Sequence, residues 1–420
     1  MGTYPAVVYP TDVPTTMVRS REQKGAKVGG PRRTNRTLLV LLLSSLAATR
    51  SARADEADPG FSLSKFEAHG FVSQGYLRTT SNNYLAKTES NRGSFEFAEV
   101  GINFTQPLSE KLRTGIQLFA RDLGPIGNYS IKADWFYVDY RWTDALGLRA
   151  GRIKLPFGLY NESNDIDAAR VPILLPQSMY PARSRDYLLA QTGVELYGRL
   201  LLGAAGALDY RAYGGTIFLE STTPPGGPIV VQELTVPYLF GGRLLWETPL
   251  DGLRVGGSAQ KLRLDSTFLQ AGVSTLVKIP ALLWVASLEY AANDLTLAAE
   301  YGRWHVSSTS SVPEDPTFNT KLDSERAYVM AALRLNDWFE PGAYYSLFFP
   351  NVKDRKGTGA QQHDVALTLR FDLDTHWLFK LEGHYMLGTG DLDRRLNGGA
   401  ALDDLTRRWG AFLAKTTAYF

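Results

Sequence analysis

The 420-residue chain contains no cysteine. This absence excludes a disulfide framework, a thiolate metal site and a cysteine nucleophile, and it suits a protein that passes through an oxidising compartment. Histidine is also scarce, and the five histidines are too scattered to show the spacing of metal ligands: His69, His305, His363, His376 and His384. We therefore expect neither a bound metal nor a cofactor.

A strong charge of either sign is missing as well. The full chain has a formal net charge of +2. Residues 55–420 keep 36 of the 45 Lys and Arg and 41 of the 43 Asp and Glu, so their formal charge is −5. A chain without a basic surplus gives nucleic-acid binding no electrostatic support, and we expect no nucleic-acid partner.

The chain also lacks the run of about 20 apolar residues that a membrane-spanning helix requires. Residues 38–48 form an apolar run of eleven, with three arginines shortly before it and the sequence Ala52-Arg53-Ala54 after it. This order of basic, apolar and small residues is typical of a secretory signal peptide. We predict that residues 1–54 are a signal peptide, cleaved after Ala54, and that residues 55–420 form the mature domain.

Regular alternation is what the sequence does contain. After residue 64, apolar and polar residues alternate in segments of roughly ten, as where Val365, Leu367 and Leu369 alternate with Thr368 and Arg370. In a closed sheet one face would then meet lipid and the other a wet interior. A soluble sandwich would also alternate, but its strands are usually about 5 to 6 residues long.

The breaks between these segments are alternately short and long. Seven are short, at residues 107–111, 143–147, 203–206, 249–252, 291–294, 336–337 and 373–375. Eight are long, near residues 79–93, 122–129, 156–190, 219–236, 265–278, 305–323, 350–361 and 387–405. Fifteen connections join sixteen strands, so we predict an all-β fold, a 16-stranded antiparallel transmembrane β-barrel with long extracellular loops and short periplasmic turns.

Tryptophans provide a second test of this topology. Four adjoin the predicted short turns: Trp142, Trp246, Trp338 and Trp377. Three adjoin the predicted long loops: Trp284, Trp304 and Trp409. Indole prefers the headgroup boundary of a membrane, so the two groups predict two interfacial girdles.

The last strand ends on Phe420. Lys415 falls on one face of this strand, and counting back in twos from Phe420 gives an uncharged face of Ala418, Thr416, Ala414 and Phe412. A terminal aromatic residue on such a strand resembles the C-terminal signature of Gram-negative outer-membrane barrels, which their assembly machinery reads. The resemblance implies that Phe420 is an assembly signal and that the barrel assembly machinery is a partner.

A longer resemblance covers residues 148–198. The pattern Gly151-Arg152-Ile153-Lys154, followed by a long loop, resembles a stretch of the Gram-negative porins of the phosphate-porin-like (O/P-like) group. The resemblance implies a sixteen-stranded channel, commonly trimeric, whose third extracellular loop folds into the pore. It does not imply phosphate specificity, because residues 156–190 contain Arg170, Arg183 and Arg185 but no lysine.

We call residues 156–190 loop 3. At about 35 residues the loop is much longer than an ordinary connection, and its many apolar residues need cover that the barrel wall would supply. We expect its acids, Glu162, Asp165, Asp167 and Asp186, to face the wall arginines Arg113, Arg149 and Arg211. With the loop arginines Arg170, Arg183 and Arg185, these residues are the predicted constriction, where opposed charges filter solutes. The alternative is a surface lid with solvated charges.

The function we expect is passive diffusion of small hydrophilic solutes and ions through an outer-membrane porin, without catalysis. Besides the assembly machinery, the expected partners are outer-membrane lipids, lipopolysaccharide, the solutes and two further copies in a homotrimer. An outer-membrane enzyme or adhesin on a similar barrel is the main alternative, and a soluble secreted β-protein is another. The motif Gly-x-Ser-x-Gly does not occur, and neither Ser258 nor Ser346 is predicted to lie clearly on the outer face.

Overall fold

A computed structural model describes residues 66–219, 229–270, 273–311 and 319–420, and the predicted signal peptide lies outside them. The described residues form a closed barrel of sixteen antiparallel strands, each paired with its neighbours in sequence, and β1 pairs with β16. The predicted all-β fold, a closed barrel of sixteen antiparallel strands, is therefore confirmed. The strands are β1 (Glu67–Thr79), β2 (Phe97–Pro107), β3 (Leu112–Leu123), β4 (Lys132–Thr143), β5 (Leu146–Lys154), β6 (Ala190–Leu201), β7 (Ala207–Thr216), β8 (Ile229–Glu247), β9 (Leu253–Gln270), β10 (Val273–Ala292), β11 (Leu295–Ser310), β12 (Thr320–Leu333), β13 (Phe339–Phe349), β14 (Gln362–Asp374), β15 (Trp377–Gly388) and β16 (Arg408–Tyr419).

Within the described ranges, helical structure is confined to short pieces. One four-residue α-helix, α1 (Arg185–Leu188), lies in the connection between β5 and β6. The 3₁₀ turns span Ser90–Arg92, Asp167–Ala169, Ala182–Ser184, Gly203–Ala205, Arg394–Asn397 and Leu402–Asp404. In the described part of the chain, no helix has both the length and the apolar character needed to cross a membrane.

The strand faces agree with the predicted alternation. On β14, Val365 and Leu367 are exposed on the outside, whereas Asp364 and Thr368 are buried on the inside. On β16, Phe412 is exposed and Lys415 is fully buried, and Phe420, directly after the strand, is exposed. An apolar outer face is what contact with hydrocarbon requires.

The tryptophans form one girdle rather than two. Those beside the short turns, Trp142, Trp246, Trp338 and Trp377, are exposed on the outer face. Beside the long loops, however, Trp304 and Trp409 are buried inside the barrel. Trp304 packs against Phe157, and the Trp409 indole N–H donates to the Gly388 carbonyl. The prediction of a second girdle beside the long loops was therefore wrong for Trp304 and Trp409, because their rings pack inside the barrel.

Three predicted long loops are shorter than expected. Strands β8 to β11 contain 19, 18, 20 and 16 residues, although about 9 to 11 suffice to cross a bilayer. The predicted breaks at 219–236, 265–278 and 305–323 are therefore partly strand, and residues 271–272 alone separate β9 from β10. The pairing of β9 with β10 continues to Gln270 and Val273, so the ladder persists beyond the predicted break.

The connection between β5 and β6 occupies residues 155–189, one residue earlier at each end than predicted, and we keep the name loop 3 for it. Its apolar side chains pack inside the barrel. One cluster joins Phe157, Leu175, Met179 and Tyr180 to the inner face of β10–β14, including Leu283. A second joins Ile173, Leu174 and Ala182 to loop 1 (residues 80–96), to loop 8 (residues 389–407) and to β1–β3, β15 and β16. The interior is thus less wet than predicted, because much of the inner wall is apolar and covered by loop 3.

Candidate functional site

Four arginines and three acids form a continuous ladder of ion pairs across the inner face of β3–β8. Its members alternate in charge along the wall, and one acid comes from loop 3. The pairs are Arg113–Asp139 at 2.7 Å, Asp139–Arg149 at 3.2 Å, Arg149–Glu195 at 3.2 Å, Glu195–Arg211 at 3.1 Å, Arg211–Glu162 at 3.0 Å and Glu162–Arg243 at 2.9 Å. We call this set the arginine ladder.

The sheet register explains how the ladder forms. Arg113 lies directly opposite Asp139, Asp139 opposite Arg149, and Arg149 opposite Glu195. Directly opposite side chains of unlike charge stabilise an antiparallel pair. The Arg149 guanidinium also lies over the Tyr197 ring, whose hydroxyl donates to Asp139 at 2.6 Å. The positions of these arginines are therefore fixed by neighbours on both sides.

Exposure differs strongly along the ladder. The Arg113 side chain is 47% exposed, whereas those of Asp139 and Glu195 are nearly completely buried. Burial by itself would raise the pKa of Glu162 on loop 3, but Arg211 and Arg243 lower it below its usual range. The ladder contains four positive and three negative charges, so its net charge is positive and Arg113 is its most accessible cation.

Loop 3 is bonded to the wall at β9–β11. Its backbone N–H groups at Gly158 and Leu159 donate to Ser258 at 2.9 Å and to Glu300 at 2.9 Å. Glu300 is fully buried and also accepts hydrogen bonds from the Tyr180 hydroxyl and from Ser287. Hydrogen bonds to a buried carboxylate are among the stronger ones in proteins, so this end of the loop is firmly held.

A second attachment lies at β14–β16. Asp167 pairs with Lys380 at 3.0 Å and with Lys415 at 3.5 Å, and Thr417 donates to it at 2.7 Å. Both lysine side chains are fully buried. Arg170 lies 3.7 Å from Asp167 and donates to a carbonyl within loop 3. This cluster attaches the loop at Asp167 and Arg170 to β15 and β16.

The remaining predicted constriction residues lie in two further places. Arg185 pairs with Asp165 of loop 3 and with Asp134 of β4, both at 2.8 Å, and Lys154 pairs with Asp165 at 3.1 Å. Arg183 contacts loop 8 through Asp391 and Asp393. Asp186 is half exposed and lies 3.6 Å from Lys132. These residues hold the loop against β4, β5 and loop 8.

The structure brings together some of the predicted residues and separates others. Arg113, Arg149, Arg211 and Glu162 belong to one ladder, but of these arginines Arg211 alone contacts a loop-3 acid. The partners of Asp167 were missed, because Lys380 and Lys415 lie 213 or more residues along the chain and reach it only in the closed barrel. In the sequence, the alternation of β15 and β16 places Lys380 and Lys415 on the inward face, and this signal would have suggested them as partners.

A cavity of about 530 Å³ lies inside the barrel beside loop 3 and β1–β5. It borders the arginine ladder at Arg149 and Glu162, and Trp135 and Tyr137 of β4 also line it. We call this cavity the vestibule. Trp135 therefore faces the lumen, which explains why it belongs to neither predicted girdle.

Other kinds of site have less support. Within the four described ranges, no group of three or more His, Asp or Glu side chains is arranged to hold a metal ion. One His–Ser pair was missed in the sequence: His305 and Ser307 share the outer face of β11. His305 Nδ1 lies 3.2 Å from Asp323, which also pairs with Arg303. No hydrogen bond joins Ser307 to His305 among the described residues.

Known proteins provide a comparison for this fold. No protein-family model matches the chain, and no curated protein matches it. It is similar to OmpT, an outer membrane protein of Vibrio cholerae, in its trimer form, with 11% identity and a TM-score of 0.53 over 84% of this chain and 99% of that chain.

Two porins show the same likeness. For the anion-selective porin from Comamonas acidovorans, the identity is 13% and the TM-score 0.50 over 84% of this chain and 99% of that chain. For OmpF of Salmonella typhi in complex with daunomycin, the identity is 14% and the TM-score 0.51 over 84% of this chain and 97% of that chain. At such identities the likeness shows the fold alone, and the chain has the barrel fold of outer-membrane porins.

Proposed function

We propose that this protein is a passive porin of the outer membrane that lets small hydrophilic solutes and ions diffuse across it. The observation that carries the proposal is the arginine ladder, which places four guanidinium groups along one inner wall, opposite Glu162 of loop 3 and beside the vestibule. Charged groups that line a lumen select solutes by charge and need no chemistry. The path of permeation is expected to follow β3–β8, where Glu162 joins loop 3 to the wall through ion pairs with Arg211 and Arg243.

Three finer proposals accompany this one. The segment 148–198 supports membership of the phosphate-porin-like group, and the lack of lysine in loop 3 argues against phosphate specificity. The trimer form of the similar OmpT barrel supports a homotrimer. The apolar outer face, with its tryptophans at one end, supports contact with outer-membrane lipid and lipopolysaccharide.

Reconstitution of the folded protein in planar lipid bilayers tests the proposal. We expect discrete conductance steps that scale with salt concentration, and a reversal potential in a salt gradient that reports the ion preference. Protein unfolded by heat provides the control, because it should give no steps. Folded, heat-modifiable protein that inserts into the bilayer without conducting would overturn the porin proposal.

A second candidate function rests on His305, Ser307 and Asp323. A histidine oriented by a carboxylate beside a serine is the arrangement of a hydrolase, and the outer face would present it to lipid esters. The absence of a Ser307–His305 hydrogen bond among the described residues, and the pairing of Asp323 with Arg303, weigh against it. If lipid esters are hydrolysed by the protein and not by its Ser307→Ala variant, the hydrolase replaces the porin as the primary proposal.

A further inference from the structure

The wall of the vestibule carries an ordered row of side chains. His69, Asn103, Gln117 and Trp135 lie directly opposite one another on the consecutive strands β1 to β4. In the neighbouring row toward the short turns, Thr105 and Tyr137 flank Gly115. A cavity of about 530 Å³ is within the roughly 300–1,000 Å³ of small-molecule sites.

A β-bulge turns an aromatic side chain into this cavity. Gln117 pairs with Trp135, but the next residue, Leu118, pairs with Ala133, so Asp134 is an extra residue in β4. Asp134 and Trp135 consequently both face inward. Asp134 binds Arg185 of loop 3, and Trp135 lines the vestibule. Bulges of this kind often redirect a side chain beside a functional site.

Trp135 and Tyr137 form a rigid aromatic platform. Their rings are stacked, with centroids 5.3 Å apart and an angle of 16° between the planes. The Trp135 indole N–H donates to the side-chain amide oxygen Oε1 of Gln117 at 2.9 Å, which fixes the ring. A Cβ on Gly115 would lie 3.0 Å from the Trp135 ring, so glycine leaves room for the pair. Stacked rings that line a lumen offer flat apolar faces to a solute.

Uncharged polar groups lie next to this platform. The side chains of Asn103 and Thr105 line the vestibule and have no hydrogen-bond partner in the part of the chain that the structure describes. An amide both donates and accepts, and so does a hydroxyl. These two side chains are therefore available to a ligand that carries several hydroxyl groups.

The charged side chains that line the vestibule already have partners within the protein. Arg149 pairs with Asp139 and Glu195, and Lys154 pairs with Asp165. The acids that line the cavity are paired as well: Glu162 with Arg211 and Arg243, and Asp167 with Lys380. A charged solute would have to compete with these ion pairs, whereas an uncharged one would not.

We propose that the vestibule is a binding site for uncharged, polyhydroxylated ring compounds, which is the chemistry of mono- and disaccharides. One face of such a ring carries C–H groups and stacks on Trp135, while hydroxyls at its edge bond to Asn103 and Thr105. The inference deepens the proposed function, because the bound sugar would lie on the path of permeation.

Single-channel recording with maltose as the probe tests the site. Maltose should interrupt the current of the wild-type channel in a concentration-dependent way. Trp135→Ala should raise the apparent Kd by about tenfold, as expected for the loss of an aromatic contact, whereas Trp135→Phe should retain most of the binding. Trp142→Ala is the matched control, because Trp142 lies on the outer face of the same strand. It should bind maltose like the wild type.

Calorimetry of folded protein in detergent separates this inference from the proposed function. One outcome is a channel that conducts while maltose binds neither the wild type nor Trp135→Ala, or binds both equally. That result would overturn the sugar site and leave the porin proposal intact. If the protein does not conduct but binds maltose through Trp135, the porin proposal is refuted and the sugar-binding site is supported. Glucuronate should bind more weakly than glucose, and tighter binding of glucuronate would contradict an uncharged ligand.

Discussion

His384 occupies an unusual position for a single residue in a barrel wall. Its ring nitrogens lie 3.0 Å from Asp364 on one side and 3.0 Å from Glu382 on the other, and its side chain is buried. Glu382 in turn accepts the backbone N–H groups of Ile173 and Leu174, at 2.7 and 3.0 Å. The histidine therefore positions the carboxylate that holds the middle of loop 3.

We predict that His384→Gln loosens loop 3. An amide cannot carry the charge that balances two buried carboxylates, and breaking a buried pair costs about 3–5 kcal/mol. The variant should lose thermal stability, and trypsin should cleave loop 3 faster at its arginines. His376→Gln is the control, because His376 is exposed at a short turn. Equal stability and cleavage in the two variants would contradict the role of His384.

At the scale of elements, the seam between β1 and β16 closes the barrel. The backbone of Phe420 exchanges two hydrogen bonds with Gly70, each 3.0 Å long. A Cβ on Gly70 would lie 2.5 Å from the Phe420 ring, so the ring covers this glycine on the outer face. Because a closed barrel has no free edge, the residues of this seam contribute to closure of the barrel.

Removal of Phe420 should lower the yield of folded, heat-modifiable barrel. The deletion removes both hydrogen bonds to Gly70 and the ring that covers it. Phe420→Trp, which keeps an aromatic ring and the backbone bonds, should assemble better than the deletion. A normal folded yield of the deletion variant in the outer membrane would refute the assembly-signal prediction.

The two faces of β2 provide a matched test of orientation. Val100 is exposed on the outer face, and Asn103 lines the vestibule. We predict that Val100→Arg destabilises the folded barrel by about 2–4 kcal/mol, the cost of an arginine at mid-membrane on the lipid face, and that Asn103→Arg costs far less. Urea unfolding in lipid vesicles measures both. The opposite order would show that the faces of β2 are inverted.

Most of the element order was predictable because alternation is a local property. The β14 residues Leu367 and Thr368 face outward and inward as their polarity indicates. The lengths of β8–β11 were not predictable, because their extra residues lie where the sequence was expected to form long loops. The inner face of β10, with Leu283 and Val285, is as apolar as its outer face. A strand that is apolar on both faces indicates an interior partner, but periodicity does not identify it.

At the scale of the whole molecule, charge selectivity should depend on the accessible end of the arginine ladder. Asp165 and Asp167 are unsuitable for a test, because each is buried in ion pairs and its removal would leave buried cations unpaired. Arg113 is half exposed, and without it Asp139 keeps Arg149 and Tyr197 as partners. It is therefore the cleanest position at which to change the lumen charge.

We predict that Arg113→Gln shifts the reversal potential toward cation preference. The shift should be larger at 0.1 M than at 1 M salt, because the screening length falls from about 10 Å to about 3 Å. Lys111→Gln removes a charge of the same sign from the adjacent short turn and should leave the reversal potential unchanged. If both variants shift it equally, general charge rather than the ladder controls selectivity.

The candidate site was less predictable than the barrel. Sequence reasoning identified Arg149, Arg211 and Glu162, because the face of a strand residue and the length of a loop can both be read from a short stretch of sequence. It missed Arg243 as the second partner of Glu162 and Lys415 as a partner of Asp167, since these pairs form only when distant strands close on loop 3. Pairings between residues that lie far apart in the chain depend on the register of every intervening strand.

The apolar inner wall sets a limit on how far this lumen can be widened. Excision of loop 3 would leave Leu283, Val285 and Met330 facing water. Each large aliphatic side chain transferred to water costs about 1.5–3 kcal/mol, and hydrophobic walls tend to dewet. Water would therefore retreat from β10–β13, and the conducting cross-section would grow less than the geometric opening.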